Sequence, residues 1–312
     1  MKRMFEPVVF GNTKLFWDYR LKNTDNYQGY YHWHQCCEML YVHEGAGRVV
    51  LDGDTFPIRP GMLFFFRPYQ LHHVFANVNQ DQPYTRTIFF FDPHLVDELL
   101  RPFSKRHALF KALCRGQNKV KAFDLSSWRE AVERNYDNYQ LLRSQRIGED
   151  VEDIALLILR NLDCMLRSQA APTEHLQRAE ESKTAGYAQQ AMKWIDDHYQ
   201  DGFHLDDLAD ALHLSKFYLS KLFHEETGTT LKAYITAVRI RHACRLLETT
   251  AKSVEMIGSE VGIPNSSYFA QVFKQEVGTT PLKYRTGAGN RLTAIDFRKP
   301  IKSRRGSQPI HQ

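Results

Sequence analysis

Four side chains in the first quarter of the chain are of types that could act together. His32, His34 and Glu38 fall on positions of one parity, so on an extended strand they point to one face. His73 follows beside His72, after the stretch from Gly61 to Pro68. Imidazoles joined by a carboxylate are a common ligand set for a divalent first-row metal. The same groups, hydrogen-bonded to one another, equally make the polar floor of a small-molecule pocket or a satisfied part of a core. Spacing alone leaves all three readings open.

A second set lies near the other end, inside an internal repeat. Leu205–Leu214 matches Val254–Ile263 at an offset of 49, and Tyr218–Phe223 matches Tyr268–Phe273 at an offset of 50. Gly228-Thr-Thr and Gly278-Thr-Thr follow, then Tyr234 and Tyr284. Each copy predicts a short helix, a tight turn and a second helix. Ser215 and Asn265 are the expected N-caps, and Gly228 and Gly278 the expected left-handed C-terminal residues. The buried stripes are Leu219, Leu222, Phe223 and Phe269, Val272, Phe273. The opposite faces carry Ser215, Lys216, Phe217, Ser220, Lys221 and His224 in the first copy. In the second they carry Asn265, Ser266, Ser267, Gln271 and Lys274. Such groups reach base edges and phosphates. A solvated face would explain one copy. Two in register, joined by a helix over about Leu231–Glu248, point to double-stranded DNA read in successive major-groove segments, about 34 Å apart.

These residues carry a family resemblance. Residues Gly186–Arg285 resemble the AraC/XylS-type DNA-binding domain. The match runs through Leu208-Ala209, Leu214-Ser215, Tyr218 to Phe223, Gly228, Arg239-Ile240 and Leu246-Leu247. It continues through Ile257, Val261-Gly262, Ser267-Tyr268-Phe269, Phe273-Lys274, Gly278 to Pro281 and Tyr284-Arg285. The resemblance implies a bacterial transcription regulator, most often an activator, that acts on promoter DNA with RNA polymerase. Departures fall in the second copy. Ile263 stands where the family usually has Phe, Met256-Ile-Gly258 replaces Glu-Ile-Ala, and Ala270-Gln271 replaces Ser-Arg. Gly258 in a helix is expected to cost about 1 kcal/mol relative to Ala. Loss of the Arg removes a phosphate or guanine contact, so the first unit is expected to supply more binding energy.

The elements that position these groups change period along the chain. Residues 1–92 read as short strands with Gly and Pro punctuation, including Met62–Phe66 and Thr85–Phe91. Helical spacing begins at Leu95, and longer helices are expected over about Ser126–Gln145 and Gly148–Ser168. The second has a stripe of Val151, Ile154, Ala155, Ile158, Leu162 and Met165 that packs on the barrel or on another subunit. The expected division is a sensor barrel at 1–115, a helical, dimerising connector at 116–170 and a linker at 171–186. A two-unit DNA-binding domain at 187–286 and a basic tail at 287–312 complete it. The fold class is α+β multidomain: a jelly-roll β-barrel, a helical connector and an all-α domain with two helix-turn-helix units.

Composition bounds the function. The net charge of +5 is concentrated at the end: Arg285 to Gln312 holds seven basic residues and one acidic. That tail attracts phosphates without sequence preference, or is simply solvated. No apolar run reaches the ~18 residues of a membrane helix, and the first residues lack a secretion signal. Five scattered cysteines without a CxxC pair fit reduced thiols in a cytoplasm. No nucleophile elbow or phosphate-binding glycine loop points to catalysis.

The N-terminal groups also resemble the two cupin motifs. His-x-His, Glu38 and Gly45 keep the first spacing, though Asn26 replaces its leading glycine. The second is one residue longer between Gly61 and Pro68 and has Gln70 where a glycine is usual, while His73 and Asn77 keep their spacing. The family resemblance implies an effector-binding barrel, in which His32, His34, Glu38 and His73 line the pocket or hold a divalent metal. Aromatic residues Phe16, Trp17, Tyr19, Tyr27, Tyr30, Tyr31 and Trp33 fit packing, or a sugar effector. Three functions are therefore expected to compete. The first is a ligand-responsive homodimeric regulator of a carbohydrate-related operon. The second is a metal-dependent cupin enzyme fused to a DNA-binding module. The third is a constitutive architectural DNA binder.

Overall fold

The computed structural model describes residues 4–8, 10, 13–24, 27–51, 54–118, 120, 122–145, 150–170, 186–201 and 203–287. Apart from Gly186 and Gly287, the expected linker at 171–186 and basic tail at 287–312 lie outside them.

Two antiparallel sheets build the N-terminal part. The strands are β1 (Leu15–Asn23), β2 (Tyr27–Gln28), β3 (Cys37–Glu44), β4 (Ala46–Leu51), β5 (Asp54–Ile58), β6 (Met62–Phe66), β7 (His72–Asn77), β8 (Tyr84–Phe91) and β9 (Ala122–Asp124). One sheet runs β1-β8-β3-β6-β9 and the other β2-β7-β4-β5. The jelly-roll class expected from the sequence is met by this sandwich, although the two sheets are not hydrogen-bonded into a closed barrel among the described strands. Register sorts the side chains by parity. Leu40 lies opposite Ile88 and Phe64, so these face the inter-sheet core with Val49, Leu51 and Val74. Cys37, Met39, Phe89 and Phe91 face the other way, onto helices. Burial on both faces explains why β6 is an unbroken apolar run instead of an alternating one.

Helices α1 (Pro93–Leu100), α2 (Ser104–Cys114), α3 (Arg129–Ser144) and α4 (Val151–Ala170) cover that outer face. Asp92 caps α1 by accepting from the His94 amide, with Pro93 in its first turn. Of the two surfaces expected for it, the α4 stripe packs on the sheet: Ile154, Leu157, Ile158, Leu162 and Met165 are buried there. Leu156 on α4 and Leu141 on α3 stay exposed.

The C-terminal part comprises α5 (Tyr187–His198), α6 (Leu205–Ala211), α7 (Lys216–Thr227), α8 (Leu231–Thr249), α9 (Val254–Glu260), α10 (Ser266–Val277) and α11 (Pro281–Arg285). The expected caps form: Ser215 accepts from the Tyr218 amide and Asn265 from the Tyr268 amide. Gly228 and Gly278 end their helices at φ +71° and +90°. Gly258 departs from its expected role as a weakness. A Cβ there would stand 2.9 Å from the Ile263 carbonyl oxygen and 3.2 Å from the Phe269 ring, so the helix pair approaches too closely for alanine.

The two parts share one apolar cluster. Phe5, Tyr31, Trp33, Val50, Tyr69 and Leu71 of the first join Ala191, Phe223, Tyr234 and Tyr284 of the second.

Candidate functional site

His32, His34 and Glu38 do converge, but not from one regular strand. β3 begins only at Cys37, and residues 31–36 are irregular with isolated bridges at His32 and Trp33. His32 is held by a two-way backbone bridge to His72, with N···O distances of 3.1 and 3.0 Å. Glu38 is the first inward residue of β3, opposite Phe66 and Phe90. Its Oε2 lies 2.8 Å from His34 Nε2 and 3.4 Å from His72 Nε2.

His72, and not His73, completes the group. Neighbours on a strand point to opposite faces, and the extra residue before Pro68 shifts the register by one. His72 stacks on Phe66 at 4.1 Å inside the sandwich. His73 points outward, stacked on Phe75 at 3.5 Å and edge-on to Tyr31 at 4.6 Å. The signal that would have found His72 is its parity with Val74 and Ala76, both buried in the inter-sheet core.

The electrostatics follow from burial and pairing. Burial disfavours charge on Glu38, yet the His34 hydrogen bond and the His72 imidazole at 3.4 Å outweigh it and hold the carboxyl well below its usual range. Burial also opposes charge on His34, but the Cys36 and Glu38 contacts win and raise its pKa well above 6.5. His32, buried and beside His72, is pushed down to about 4. The group therefore contains an ion pair with a neutral imidazole alongside.

The donor geometry suits a cation as well. Nδ1 of His32, His34 and His72 each lies 2.9 Å from a backbone carbonyl oxygen, of Tyr30, Cys36 and Gln70 respectively. Those bonds fix each ring and turn each Nε2 toward the carboxylates, His34 Nε2 being taken by Glu38 at 2.8 Å and His32 Nε2 lying 3.6 Å from Glu6. One ligand atom each from His32, Glu38 and His72 falls within 4.8 Å of the others, and His72 Nε2 is buried without a hydrogen-bond partner.

At the other end, the polar faces are as solvent-facing as a DNA interface requires. Lys216, Phe217, Lys221 and His224 on α7 are exposed, with Ser220 half-buried. Phe217 is 82 % exposed. Ser266, Ser267, Gln271 and Lys274 on α10 are exposed too, as are the caps Ser215 and Asn265. Lys216 Nζ is 2.7 Å from Asp206 Oδ1, a surface pair worth little in water.

No local sequence pattern predicts the contact between the two parts. Tyr31 meets the Tyr234 ring edge-on at 6.3 Å, and the Tyr69 hydroxyl lies 3.2 Å from that of Tyr284. Tyr284 in turn donates to Glu248 at 2.9 Å.

A family model described as an AraC-like ligand binding domain matches residues 19–183, more than half of the chain. A second, described as a helix-turn-helix domain, matches residues 208–287. The chain belongs to the AraC family of transcription regulators. It is 26% identical over 247 residues to the Msm operon regulatory protein of Streptococcus mutans, covering 78% of this chain and 82% of that one. It is also 26% identical over 258 residues to the arabinose operon regulatory protein of Escherichia coli, covering 80% of each. The xylose operon regulatory protein of Escherichia coli is 40% identical over 96 residues, 31% of this chain and 24% of that protein. Like other AraC-family members, the chain pairs a small-molecule-binding domain with a DNA-binding domain. No described helix is long and apolar enough to cross a membrane.

Proposed function

We propose that this regulator activates a carbohydrate-related operon in the bacterial cytoplasm when a small molecule binds between its two sheets, against His32, His34, Glu38 and His72. One observation carries the reading. Along residues 31–34 and 71–73 the side chains alternate: His32, His34 and His72 face the polar cluster, while Tyr31, Trp33 and Leu71 face the apolar cluster shared with the helical domain. A ligand that shifts one face of these segments shifts the other. A switch requires differential affinity for two arrangements of the domains, and this alternation supplies a route to it. The arabinose and xylose regulators among the relatives favour a sugar-derived effector.

The remaining parts fit the same scheme. The α7 and α10 faces read adjacent major-groove segments of promoter DNA, and the bound protein contacts RNA polymerase. Homodimerisation uses the groove of about 300 Å³ between α3 and α4, rimmed by the exposed Leu141 and Leu156. Mapping of bound promoters, together with transcript profiling of a deletion strain, tests the proposal. Bound sites upstream of carbohydrate genes whose transcripts fall in the deletion strain support it. Occupancy that no candidate effector changes points to an architectural role.

The three donor atoms within 4.8 Å favour a second reading, a cupin-type metal centre at His32, Glu38 and His72. Bound there, a divalent ion would supply Lewis acidity to a ligand, as in a cupin enzyme fused to a DNA-binding module. Metal analysis of the purified chain separates the two. Near-stoichiometric iron, manganese or zinc supports the metal centre, and trace content supports the hydrogen-bonded floor.

A further inference from the structure

Arg86 is a charged side chain buried in the sensor domain. It sits on β8 opposite Val42 of β3. It shares parity with Tyr84, which belongs to the inter-sheet core. It is only 6 % exposed. Among the described residues it makes no salt bridge. One terminal nitrogen donates to Asn23 Oδ1 at 2.6 Å, and Nε is buried with no partner. The rings of Tyr27 and Tyr84 flank the guanidinium at 4.5 and 4.8 Å. Aromatic faces attract a cation but bring no net negative charge. The Tyr84 hydroxyl beside it is also buried without a partner.

A guanidinium this far from water is costly unless a counter-charge meets it. Glu38 faces the same space, but it is engaged by His34 and His72 and lies four residues further along β8, opposite Phe90. No described carboxylate therefore neutralises Arg86, and its guanidinium is open to an anionic partner. We propose that Arg86, with the Tyr84 hydroxyl, binds the carboxylate of the effector, so that the ligand is an acid and not a neutral sugar. The planar fork of donors on Arg matches the two oxygens of a carboxylate. The flanking Tyr27 and Tyr84 rings offer flat surface to the remainder of the ligand. Taken with the carbohydrate reading, on which this extension rests, the class is a sugar acid.

The test uses the full chain and its thermal midpoint at constant ionic strength. D-Glucuronate, D-galacturonate and D-gluconate are compared with D-glucose, D-galactose and glucose 6-phosphate, each at about 10 mM, where even weak native-state binding raises Tm. At least one acid is expected to raise Tm more than its neutral counterpart and the phosphate. Arg86→Gln should abolish that shift, a loss in affinity of more than about tenfold. The same variant should leave the ligand-free Tm unchanged or higher, because it removes an uncompensated buried charge. Tyr84→Phe should weaken acid binding without lowering the ligand-free Tm. A fall in ligand-free Tm for Arg86→Gln would make the residue a structural strut and overturn the proposal. So would the absence of a shift with every acid, or a shift with the phosphate alone. A neutral sugar that stabilises wild type and Arg86→Gln equally overturns the acid assignment while leaving a sugar-responsive regulator intact. Promoter mapping that finds no carbohydrate genes would instead remove the operon assignment and leave the carboxylate site standing.

Discussion

The two helix-turn-helix units are copies of one design, and their buried and exposed positions differ in opposite ways. Both close the short helix in the same way: the Leu214 amide donates to the Ala209 carbonyl at 2.9 Å, and the Ile263 amide to the Gly258 carbonyl at 2.8 Å. Both cap the second helix with a short polar side chain and end it on a left-handed glycine. Inside, the first unit has the buried Ala209 and Leu219 at the positions where the second has Gly258 packed against Phe269. In the second unit the larger ring of Phe269 is matched by the smaller residue that faces it, Gly258. Outside, no such compensation appears. Lys216, Phe217 and Lys221 in the first unit become Ser266, Ser267 and Gln271 in the second.

The core difference gives the largest expected effect. Helix propensity alone says that Gly258→Ala should stabilise by about 1 kcal/mol. The close approach to the Ile263 carbonyl and the Phe269 ring says the opposite, with overpacking costing about 1–3 kcal/mol. Chemical denaturation of Gly258→Ala should therefore show a loss, and adding Phe269→Leu should recover most of it. A single variant more stable than wild type would break the volume argument.

The outward difference comes next in size. Lys221→Ala should weaken operator binding about tenfold and reduce its salt dependence, because a lysine that meets phosphate releases counterions. Gln271→Ala should cost under about threefold, as befits a neutral side chain without a bidentate partner. Titrations at two salt concentrations check both. Equal losses would erase the asymmetry between the units.

Residue types made much of this legible in the sequence. The caps, the left-handed glycines and the 3.6-residue stripes are local signals, and they place α7, α8 and α10 within a residue or two. The strands were legible as apolar runs between turns. Two things were not. One is parity through irregular backbone: Tyr69 at φ +61° lies in the turn before β7, so motif spacing assigned His73 the place that His72 occupies. Arg86 hid for a related reason, since only the register of β8 with β3 turns it inward. The other is long-range contact. Nothing near Tyr31 or Tyr69 announces that they meet Tyr234 and Tyr284, which are more than 200 residues away.

That contact adds a further difference between the units. Tyr234 and Tyr284 occupy the same place in the two copies, and each touches the sensor domain. The first does so through ring packing with Tyr31. The second does so through a hydroxyl chain from Tyr69 to Tyr284 to Glu248, whose carboxyl burial raises above its usual range. Tyr69→Phe removes one hydrogen bond, worth about 1 kcal/mol, without opening a cavity. It should reduce the change in DNA affinity that an effector produces, through the second unit more than the first. DNA binding measured with half-sites for each unit, with and without effector, would show whether the second unit is the more tightly coupled.

The smallest expected effect lies at the turn itself, where the comparison is sharpest. Position 213 in the first unit corresponds to 262 in the second, and both are left-handed: His213 at φ +55° and Gly262 at φ +79°. The second unit needs glycine twice over, since a Cβ there would stand 2.8 Å from the Gln200 carbonyl oxygen and 2.9 Å from that of Tyr199. The first unit keeps His213 exposed to water and so tolerates a side chain, at the expense of backbone strain of about 1–2 kcal/mol. His213→Gly relieves that strain but frees the unfolded chain, which returns about 0.5–1 kcal/mol of the gain. A net stabilisation of about 0.5 kcal/mol, seen as a slightly higher denaturation midpoint with unchanged slope, is the expected outcome. A net loss would mean that the imidazole makes a contact worth more than the strain, and the first unit would then owe its turn to a side chain where the second owes it to the lack of one.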